Sequence, residues 1–307
     1  MKKCIIICGP TASGKTEFAH KVALKIGGEI INADSMQLYK QIPIITASPS
    51  AELTAVLPYH LYNFYDVTKN FSATKYVEMA SDRVKKIHAS GKLPIIVGGT
   101  GLYIDMLIKG YNQMPEIEDK IRTLVNQYHA KYGNSALYQQ LLDVDPAIKS
   151  KLRESDTQRI IRAYEVLIQS GKSILYYQNQ DKYLPLRDYV FEVYYLAPER
   201  HFLYATCSER FTYLFDHGAV QEVQQLVIDY PNLNSTASKA LGIKQITDYL
   251  RGKVDRYNAI NVASTLTRQY AKRQCTWFNH QIENKQVIRF SNKEEYIKQI
   301  SNVLDKL

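Results

Sequence analysis

Short apolar runs alternate with amphipathic stretches over the first hundred residues of the chain. Three runs, at residues 3–8, 29–33 and 93–97, are mainly apolar and rich in β-branched side chains, which predicts strands buried on both faces. Apolar positions at helical spacing predict helices at residues 15–25 and 74–90, each with a glycine beyond its end. Strands that alternate with helices in this way indicate a parallel sheet with helices on both faces.

The pattern changes near Tyr111. Residues 112–187 show helical periodicity and no convincing strand, residues 190–196 again predict a strand, and residues 199–307 are mostly helical. Residues 40–72 are irregular. The sequence therefore predicts an α/β core with an all-helical insertion domain and a helical C-terminal region. The core is expected at residues 1–111 and 188–307, and the insertion domain at residues 112–187.

A glycine-rich loop follows the first predicted strand and matches the pattern GxxxxGK[ST]. Its residues are Gly9, Pro10, Thr11, Ala12, Ser13, Gly14, Lys15 and Thr16. Glycines let backbone N–H groups face an anion, and the following helix N-terminus adds partial positive charge. Lys15 supplies a charge to the terminal phosphates, and the Thr16 hydroxyl is placed to hold Mg²⁺. The loop predicts a P-loop NTPase-like sheet that binds a di- or triphosphate, without specifying ATP.

The acid that usually accompanies such a loop is missing from the expected place. The strand at residues 93–97 is followed by Gly98, Gly99 and Thr100, whereas Asp34 ends the preceding strand. Ligands of doubly wound sheets lie at the carboxyl ends of the strands, so Asp34 and Thr100 are expected to face the cleft of the loop. Asp34 is a candidate metal-organising residue, general base or helix N-cap.

Composition adds a hint about the partner. Lys and Arg total 39 against 30 Asp and Glu, a net charge of +9, which fits either a solvated basic surface or an acidic partner such as nucleic acid.

No run approaches the length of a membrane span, so we expect a cytoplasmic protein. Cys4 and Cys8 are expected to be core residues, and without a CxxC pair no zinc site is expected. The 24 tyrosines suit base stacking, although most are expected to be structural.

Two helices carry candidate basic faces. Asp156 is the expected N-cap of a helix that runs to Ser170, with Gln158, Arg159 and Arg162 on one side. A solvated face with an Arg162–Glu165 ion pair is the alternative interpretation, and from local sequence it is the favoured one.

The second basic face lies near the C-terminus. Between Lys239 and Arg289, ten Lys and Arg stand against three acids, so this segment carries most of the net charge. Arg268 and Lys272 are four residues apart, and Gln269, Arg273 and Trp277 form the adjacent row. Such a face suits a phosphate backbone, whereas Trp277 is more simply explained by core packing.

Five sequence motifs, in order along the chain, resemble those of bacterial tRNA dimethylallyltransferases, also called tRNA isopentenyltransferases. They are residues 9–16 (GPTASGKT), 34–40 (DSMQLYK), 97–103 (VGGTGLY), 156–159 (DTQR) with Arg162 and Glu165, and 269–274 (QYAKRQ) with Thr276 and Trp277. The resemblance implies transfer of a dimethylallyl group from dimethylallyl diphosphate to the N6 amine of adenine 37, beside the tRNA anticodon. It also implies Mg²⁺ on Thr16 as cofactor. A monomer is expected.

The resemblance also implies roles for individual residues. The loop would bind the diphosphate with Lys15, and Asp34 would be the general base. Thr100 would be a further catalytic residue and would contact the tRNA beside the site. The residues implied to contact tRNA are Asp34, Ser35, Met36, Gln37, Thr100, Arg122, Gln158, Arg159, Arg162, Arg268, Lys272 and Arg273.

The chain departs from the family pattern at three places. Residues 45–49 read ITASP where the family usually has GTAKP, Glu154 and Ser155 replace a usual His-Pro, and Ile243 replaces a common aromatic residue. The zinc finger of some eukaryotic relatives is absent.

Three other functions use the same loop. They are an ATP-dependent kinase, a prenyltransferase acting on free adenine nucleotides, and a P-loop RNA-binding module. The missing acid after Val97 argues against a kinase. The basic segment and the helical insertion favour a macromolecular substrate over a free nucleotide. A binding module would not need Asp34 beside the loop.

Overall fold

A computed structural model describes residues 2–307. Six strands form one parallel sheet in the order β3-β2-β4-β1-β5-β6. Their bounds are Lys2–Cys8 (β1), Glu29–Asn32 (β2), Tyr59–His60 (β3), Pro94–Gly98 (β4), Tyr189–Pro198 (β5) and Lys285–Phe290 (β6). β1 is central, because it pairs with β4 on one side and with β5 on the other. The predicted parallel α/β sheet is confirmed.

Twelve α-helices occur among residues 2–307. They are Lys15–Ile26 (α1), Ala51–Val56 (α2), Ala73–Ala89 (α3), Gly101–Lys109 (α4), Asp119–Val144 (α5), Thr157–Ser170 (α6), Ile174–Gln178 (α7), Arg200–Leu214 (α8), Val220–Asp229 (α9), Ile243–Leu250 (α10), Arg256–Gln281 (α11) and Lys293–Leu304 (α12). A π-helical turn at Phe215–Ala219 joins α8 to α9. None of the helices in this range is both long and apolar enough to cross a bilayer.

The central strands are buried as their apolar runs predict. Every residue of β2 and β4 is buried, and so are the last five residues of β1. Cys4 and Cys8 are fully buried with free thiols, which confirms them as core residues. The main apolar cluster joins β1 to the inner faces of α1 and α12. This packing fixes the position of the loop that follows β1.

Two edge strands are missing from the sequence prediction. β3 has only two residues and lies in the segment predicted to be irregular. β6 lies in the segment predicted to be mostly helical, and only Ile288 and Phe290 of its six residues are buried. A short or half-exposed edge strand lacks the continuous apolar run that identified the central strands.

The Cα positions divide the chain into two compact units. One contains the residues up to Ile108 and Pro185–Leu307, and the other contains Lys109–Leu184, three residues earlier at each end than the boundaries taken from the pattern. The second unit has α5, which is interrupted at Gly133 (φ 73°), and α6 and α7 around one apolar cluster. The Asp156 side chain caps α6, which ends at Ser170 as predicted.

Candidate active site

The glycine-rich loop leaves β1 and enters α1 through two residues in the left-handed region. Ala12 has φ 61° and Gly14 has φ 82°. A Cβ at Gly14 would lie 2.7 Å from the Tyr296 hydroxyl, so the position accepts only glycine without rearrangement. The Tyr296 hydroxyl in turn donates a hydrogen bond to the Gly14 carbonyl (2.9 Å). The loop is thus held from α12, near the far end of the chain.

The loop borders a cavity of about 510 Å³, named here the phosphate cavity. Residues 11–16 line it together with Asp34, Gln37, Tyr62 and Arg210. The Lys15 ammonium donates to the Pro10 carbonyl (2.6 Å). Burial lowers the pKa of Lys15 to about 8, although the Asp34 carboxylate opposes this shift and the Arg210 guanidinium adds to it. Burial thus outweighs the attraction of Asp34, and an anion bound in the cavity would favour the charged form of Lys15.

Arg210 is a site residue that the sequence analysis missed. It lies on α8 and donates to the Thr11 hydroxyl of the loop, 199 positions away in the chain. Burial lowers its pKa, while the charges of Cys207 and Asp34 act in the opposite direction. The sequence gives only a weak signal for Arg210. Because α8 follows β5, the neighbour of β1, α8 begins at the end of the sheet where the loop lies.

Gln274 links the glycine-rich loop to the turn at Gly99, directly after β4. It accepts a hydrogen bond from the Thr11 backbone N–H (2.8 Å) and donates one to the Gly99 carbonyl (2.8 Å). Its side chain is buried, so both bonds are shielded from water. The residue belongs to the 269–274 motif, but its part in holding two turns together was not predicted.

Asp34 follows β2 and lines the phosphate cavity. One carboxylate oxygen accepts from the Met36 N–H (3.0 Å), and the Asp34 N–H donates to the Asn32 side chain (2.7 Å). No helix begins at this position, so the helix N-cap interpretation is wrong: the carboxylate stabilises a turn instead. Asn32 also binds the Leu61 carbonyl and thereby fixes the turn to the next segment.

The structure brings Thr100 to the Asp34 turn. Its hydroxyl accepts from the Ser35 N–H (2.9 Å), and its own N–H donates to the Ala33 carbonyl (3.1 Å). Burial raises the pKa of Tyr103 and of Tyr270, and the negative charge of Asp34 raises both further. Both phenols therefore stay protonated in the field of the carboxylate.

Gln37 faces the loop that carries the departures from the family pattern. Its amide donates to the carbonyls of Thr46 (3.1 Å) and Ala47 (2.8 Å). Ile45 and Ile243, two of the departing residues, are both buried in one apolar cluster. Glu222 accepts from the Ile45 N–H (2.8 Å), and burial raises the pKa of this carboxyl. The loop at residues 45–49 is therefore fixed by these contacts, and its residues Thr46 and Ala47 line the phosphate cavity.

The predicted RNA-contacting residues of the helical unit are mostly exposed. Gln158 and Arg159 are exposed at the start of α6, and Arg159 lies 3.3 Å from Asp156. Arg162 is half-buried and contacts the buried Glu165 (3.4 Å), the ion pair anticipated as the alternative. Arg122 is on α5, 4.0 Å from Asp119.

The three cations of α11 that are predicted to contact RNA differ in their surroundings. Arg268 is half-buried and donates to the hydroxyls of Ser208 (3.2 Å) and Thr265 (2.8 Å), whereas Lys272 and Arg273 are exposed. Trp277 is half-buried against Gly101, where a Cβ would lie 2.3 Å from the indole. The indole therefore packs on the start of α4, in line with the structural interpretation.

Metal ligands are sparse. Within residues 2–307, no three His, Cys, Asp or Glu side chains converge on one point. Mg²⁺ needs few protein ligands when a phosphate supplies the others. The Thr16 hydroxyl and the Asp34 carboxylate line the same cavity, and this oxygen-only set fits such an ion.

The fold is that of a P-loop protein, and its glycine-rich loop lines one cavity together with the Asp34 carboxylate. The model of the IPP transferase family matches residues 37–281, and the chain belongs to this family. The resemblance seen in the motifs is thereby confirmed.

Curated relatives match almost the whole chain. The tRNA dimethylallyltransferase of Rickettsia felis is 48% identical over 308 residues, which cover 99% of this chain and 98% of the relative. That of Rickettsia bellii is 48% identical over 300 residues, which cover 96% and 94%.

Solved structures agree with the sequence relatives. A eukaryotic dimethylallyltransferase acting on tRNA superposes with a TM-score of 0.81 at 28% identity, covering 99% of this chain and 77% of that one. The full-length tRNA isopentenylpyrophosphate transferase of Bacillus halodurans gives 0.71 at 28% identity, covering 100% and 95%.

Proposed function

We propose that this chain is a tRNA dimethylallyltransferase. It transfers the dimethylallyl group of dimethylallyl diphosphate to the N6 amine of adenine 37, next to the tRNA anticodon, and releases diphosphate. The observation that carries the proposal is the phosphate cavity, which brings the Asp34 carboxylate together with the buried cations Lys15 and Arg210. The curated relatives with this name support the choice of donor and acceptor.

The phosphate loop binds the leaving group. As the bond between the allylic carbon and the diphosphate oxygen breaks, negative charge grows on that oxygen. Lys15, Arg210 and the loop N–H groups lie where they stabilise this charge, and such stabilisation is greatest in the transition state. The Thr16 hydroxyl would hold Mg²⁺, which would supply further positive charge to the diphosphate.

Asp34 acts at the other reactant. The N6 amine of adenine is a weak nucleophile because its lone pair is delocalised into the ring. The Asp34 carboxylate takes an amine proton as the carbon–nitrogen bond forms, an effect of about 10²- to 10⁴-fold. Thr100, through its bond to the Ser35 N–H, holds the turn that presents this carboxylate.

The adenine must leave its stack to reach this site, so the enzyme must also hold the RNA around it. We assign this role to Ser35, Met36 and Gln37 at the cavity, and to two basic faces. The faces are Arg122, Gln158, Arg159 and Arg162 in the helical unit, and Arg268, Lys272 and Arg273 on α11. A cytoplasmic monomer is the state in which we expect the enzyme to work.

The test is a mass measurement on an unmodified anticodon stem-loop incubated with the protein, Mg²⁺ and either dimethylallyl diphosphate or ATP. The expected product carries one added C5H8 unit on the adenine beside the anticodon, and only with the prenyl donor. Phosphate transfer from ATP without a prenyl product would instead identify a kinase.

A further inference from the structure

A second cavity of about 470 Å³ opens between α8, α11 and β6, outside the phosphate cavity. It is named here the basic groove. Arg200 and Tyr204 line it from α8, Lys272 and Cys275 from α11, and Arg289 from β6. Its floor includes the buried Tyr195 and Leu203. The groove thus combines three cations with an apolar and aromatic floor.

The cations of the groove lack carboxylate partners. Arg200, Lys272 and Arg289 are all exposed, and none of them forms a salt bridge within the part of the chain that the structure describes. Glu199, the carboxylate of the groove, lies 3.6 Å from His201 instead. The Arg200 guanidinium carbon lies 5.1 Å from the centroid of the Tyr204 ring, and Nε donates to the Tyr204 hydroxyl (3.1 Å). Three uncompensated positive charges around one groove favour an anionic ligand.

The shape of the groove favours a chain of phosphates over a single ion. The three cations come from three separate elements, and all are exposed, so they do not enclose one anion. Arg268 and Lys272 are four residues apart on α11, a rise of about 6 Å along one side of the helix. Arg268 also contacts Ser208 of α8 (3.2 Å). The positive row therefore continues along the seam between α8 and α11 into the groove.

We propose that the basic groove binds phosphates of the tRNA backbone, with Arg200 and Arg289 as contacts in addition to the residues of α11. The proposal rests on tRNA being the substrate. It extends the RNA surface from α11 onto α8 and β6. Arg200, which is hydrogen-bonded to Tyr204, and Arg289 each bind a phosphate oxygen, and these contacts position the RNA without reading its sequence.

The first test is the binding of unmodified tRNA to the full chain carrying Arg200→Gln and Arg289→Gln, over a range of salt concentrations. We expect about tenfold weaker binding at 0.15 M salt and a salt slope reduced by about one for each side chain. Lys85→Gln, which removes an exposed cation from α3, is the matched control and should bind like the unchanged protein.

The second test uses Cys275 as a probe of coverage. It is half-buried in the groove, whereas the other three cysteines are buried, so a thiol reagent should label it first in the folded protein. Saturating tRNA should slow this labelling severalfold, and inorganic diphosphate should not. Cys275→Ser identifies the labelled position.

The outcomes separate the groove from the catalytic proposal. If the unchanged protein prenylates and binds tRNA, but the double variant binds equally well with the same salt slope, the groove proposal alone is wrong. Protection of Cys275 by diphosphate and not by tRNA would also overturn it. If the unchanged protein neither prenylates nor binds tRNA, both proposals fail.

Discussion

The phosphate loop and the basic surface of α11 both offer positive charge to phosphate, but they are built differently. In the loop, backbone and side chains are fixed by Gln274, Arg210 and Tyr296, which come from three different helices. On α11, Lys272 and Arg273 project into solvent with few contacts. A small leaving group needs preorganised charge, whereas a large polyanion is held by many weak and adjustable contacts. The contrast predicts that changes at the loop impair chemistry and changes on α11 impair RNA binding.

Arg210→Ala is one of the two changes with the largest expected effects. Removing this donor should lower the single-turnover rate by about 10²- to 10³-fold, because it is the second cation beside the leaving diphosphate. Arg187→Ala, at an exposed arginine before β5 and so near the opposite end of the strands, is the control and should leave the rate unchanged. A full rate with Arg210→Ala would exclude Arg210 from stabilising the leaving group.

Asp34→Ala should reduce single-turnover chemistry by about 10²-fold or more while leaving tRNA affinity intact. Its carboxylate is assigned to proton transfer, and a negative group does not attract the RNA phosphates. Glu17→Gln removes another carboxylate of the same cavity and is the matched control. An unchanged rate with Asp34→Ala would exclude the residue as the general base.

The affinity for dimethylallyl diphosphate should fall as pH rises above about 8. In the free enzyme the pKa of Lys15 is lowered to about 8, and only its protonated form attracts the diphosphate. Bound diphosphate raises this pKa, so binding takes up a proton and weakens by up to about tenfold per pH unit above 8. Equilibrium binding between about pH 7 and 9.5 measures the effect.

Lys15→Arg is the control for this titration, since a guanidinium keeps its charge throughout the range. A constant affinity of the unchanged protein over the same range would contradict the assignment of Lys15.

Arg268→Ala and Lys272→Ala test the basic surface of α11. Each should weaken tRNA binding severalfold and reduce the salt slope by about one, with normal chemistry at saturating tRNA. Filter binding at several salt concentrations, paired with single-turnover rates, separates the two effects. Lost chemistry at saturating tRNA would show that α11 belongs to the catalytic site.

The smallest effect is expected for Tyr296→Phe, which removes one hydrogen bond to the Gly14 carbonyl and keeps the ring that packs on the loop. We expect the KM for the prenyl donor to rise about two- to fivefold with little change in kcat, because the lost bond, worth about 0.5–1.5 kcal/mol, acts on the donor only through the loop. Equal losses in kcat and in thermal stability would indicate a general structural role instead.

The sequence predicts those parts of the site whose geometry is local. The loop at residues 9–16 and the carboxylate at the end of β2 each lie in a short segment whose order of strand, turn and helix is visible from the pattern. Arg210, Gln274 and Tyr296 reach the same loop from 199, 263 and 282 positions away, and no local spacing identifies them. Only the sheet order brings them together.

The same distinction applies to the fold. β1, β2 and β4 are identified by runs buried on both faces, whereas the half-exposed β6 resembles the polar helices around it.

Trp277 illustrates a pattern with two interpretations, because a basic helix with an aromatic residue suits both RNA stacking and packing. The close approach to Gly101 favours packing, and no spacing within α11 shows that approach.

The order in which the ribosome makes the chain has a consequence for the loop. Residues 9–16 emerge among the first, but their partners Arg210, Gln274 and Tyr296 emerge in the last third of synthesis. At about 5–20 residues per second, the loop waits on the order of ten seconds or more before those helices exist. A nascent or prematurely ended chain therefore carries the complete phosphate-binding motif without a finished phosphate site.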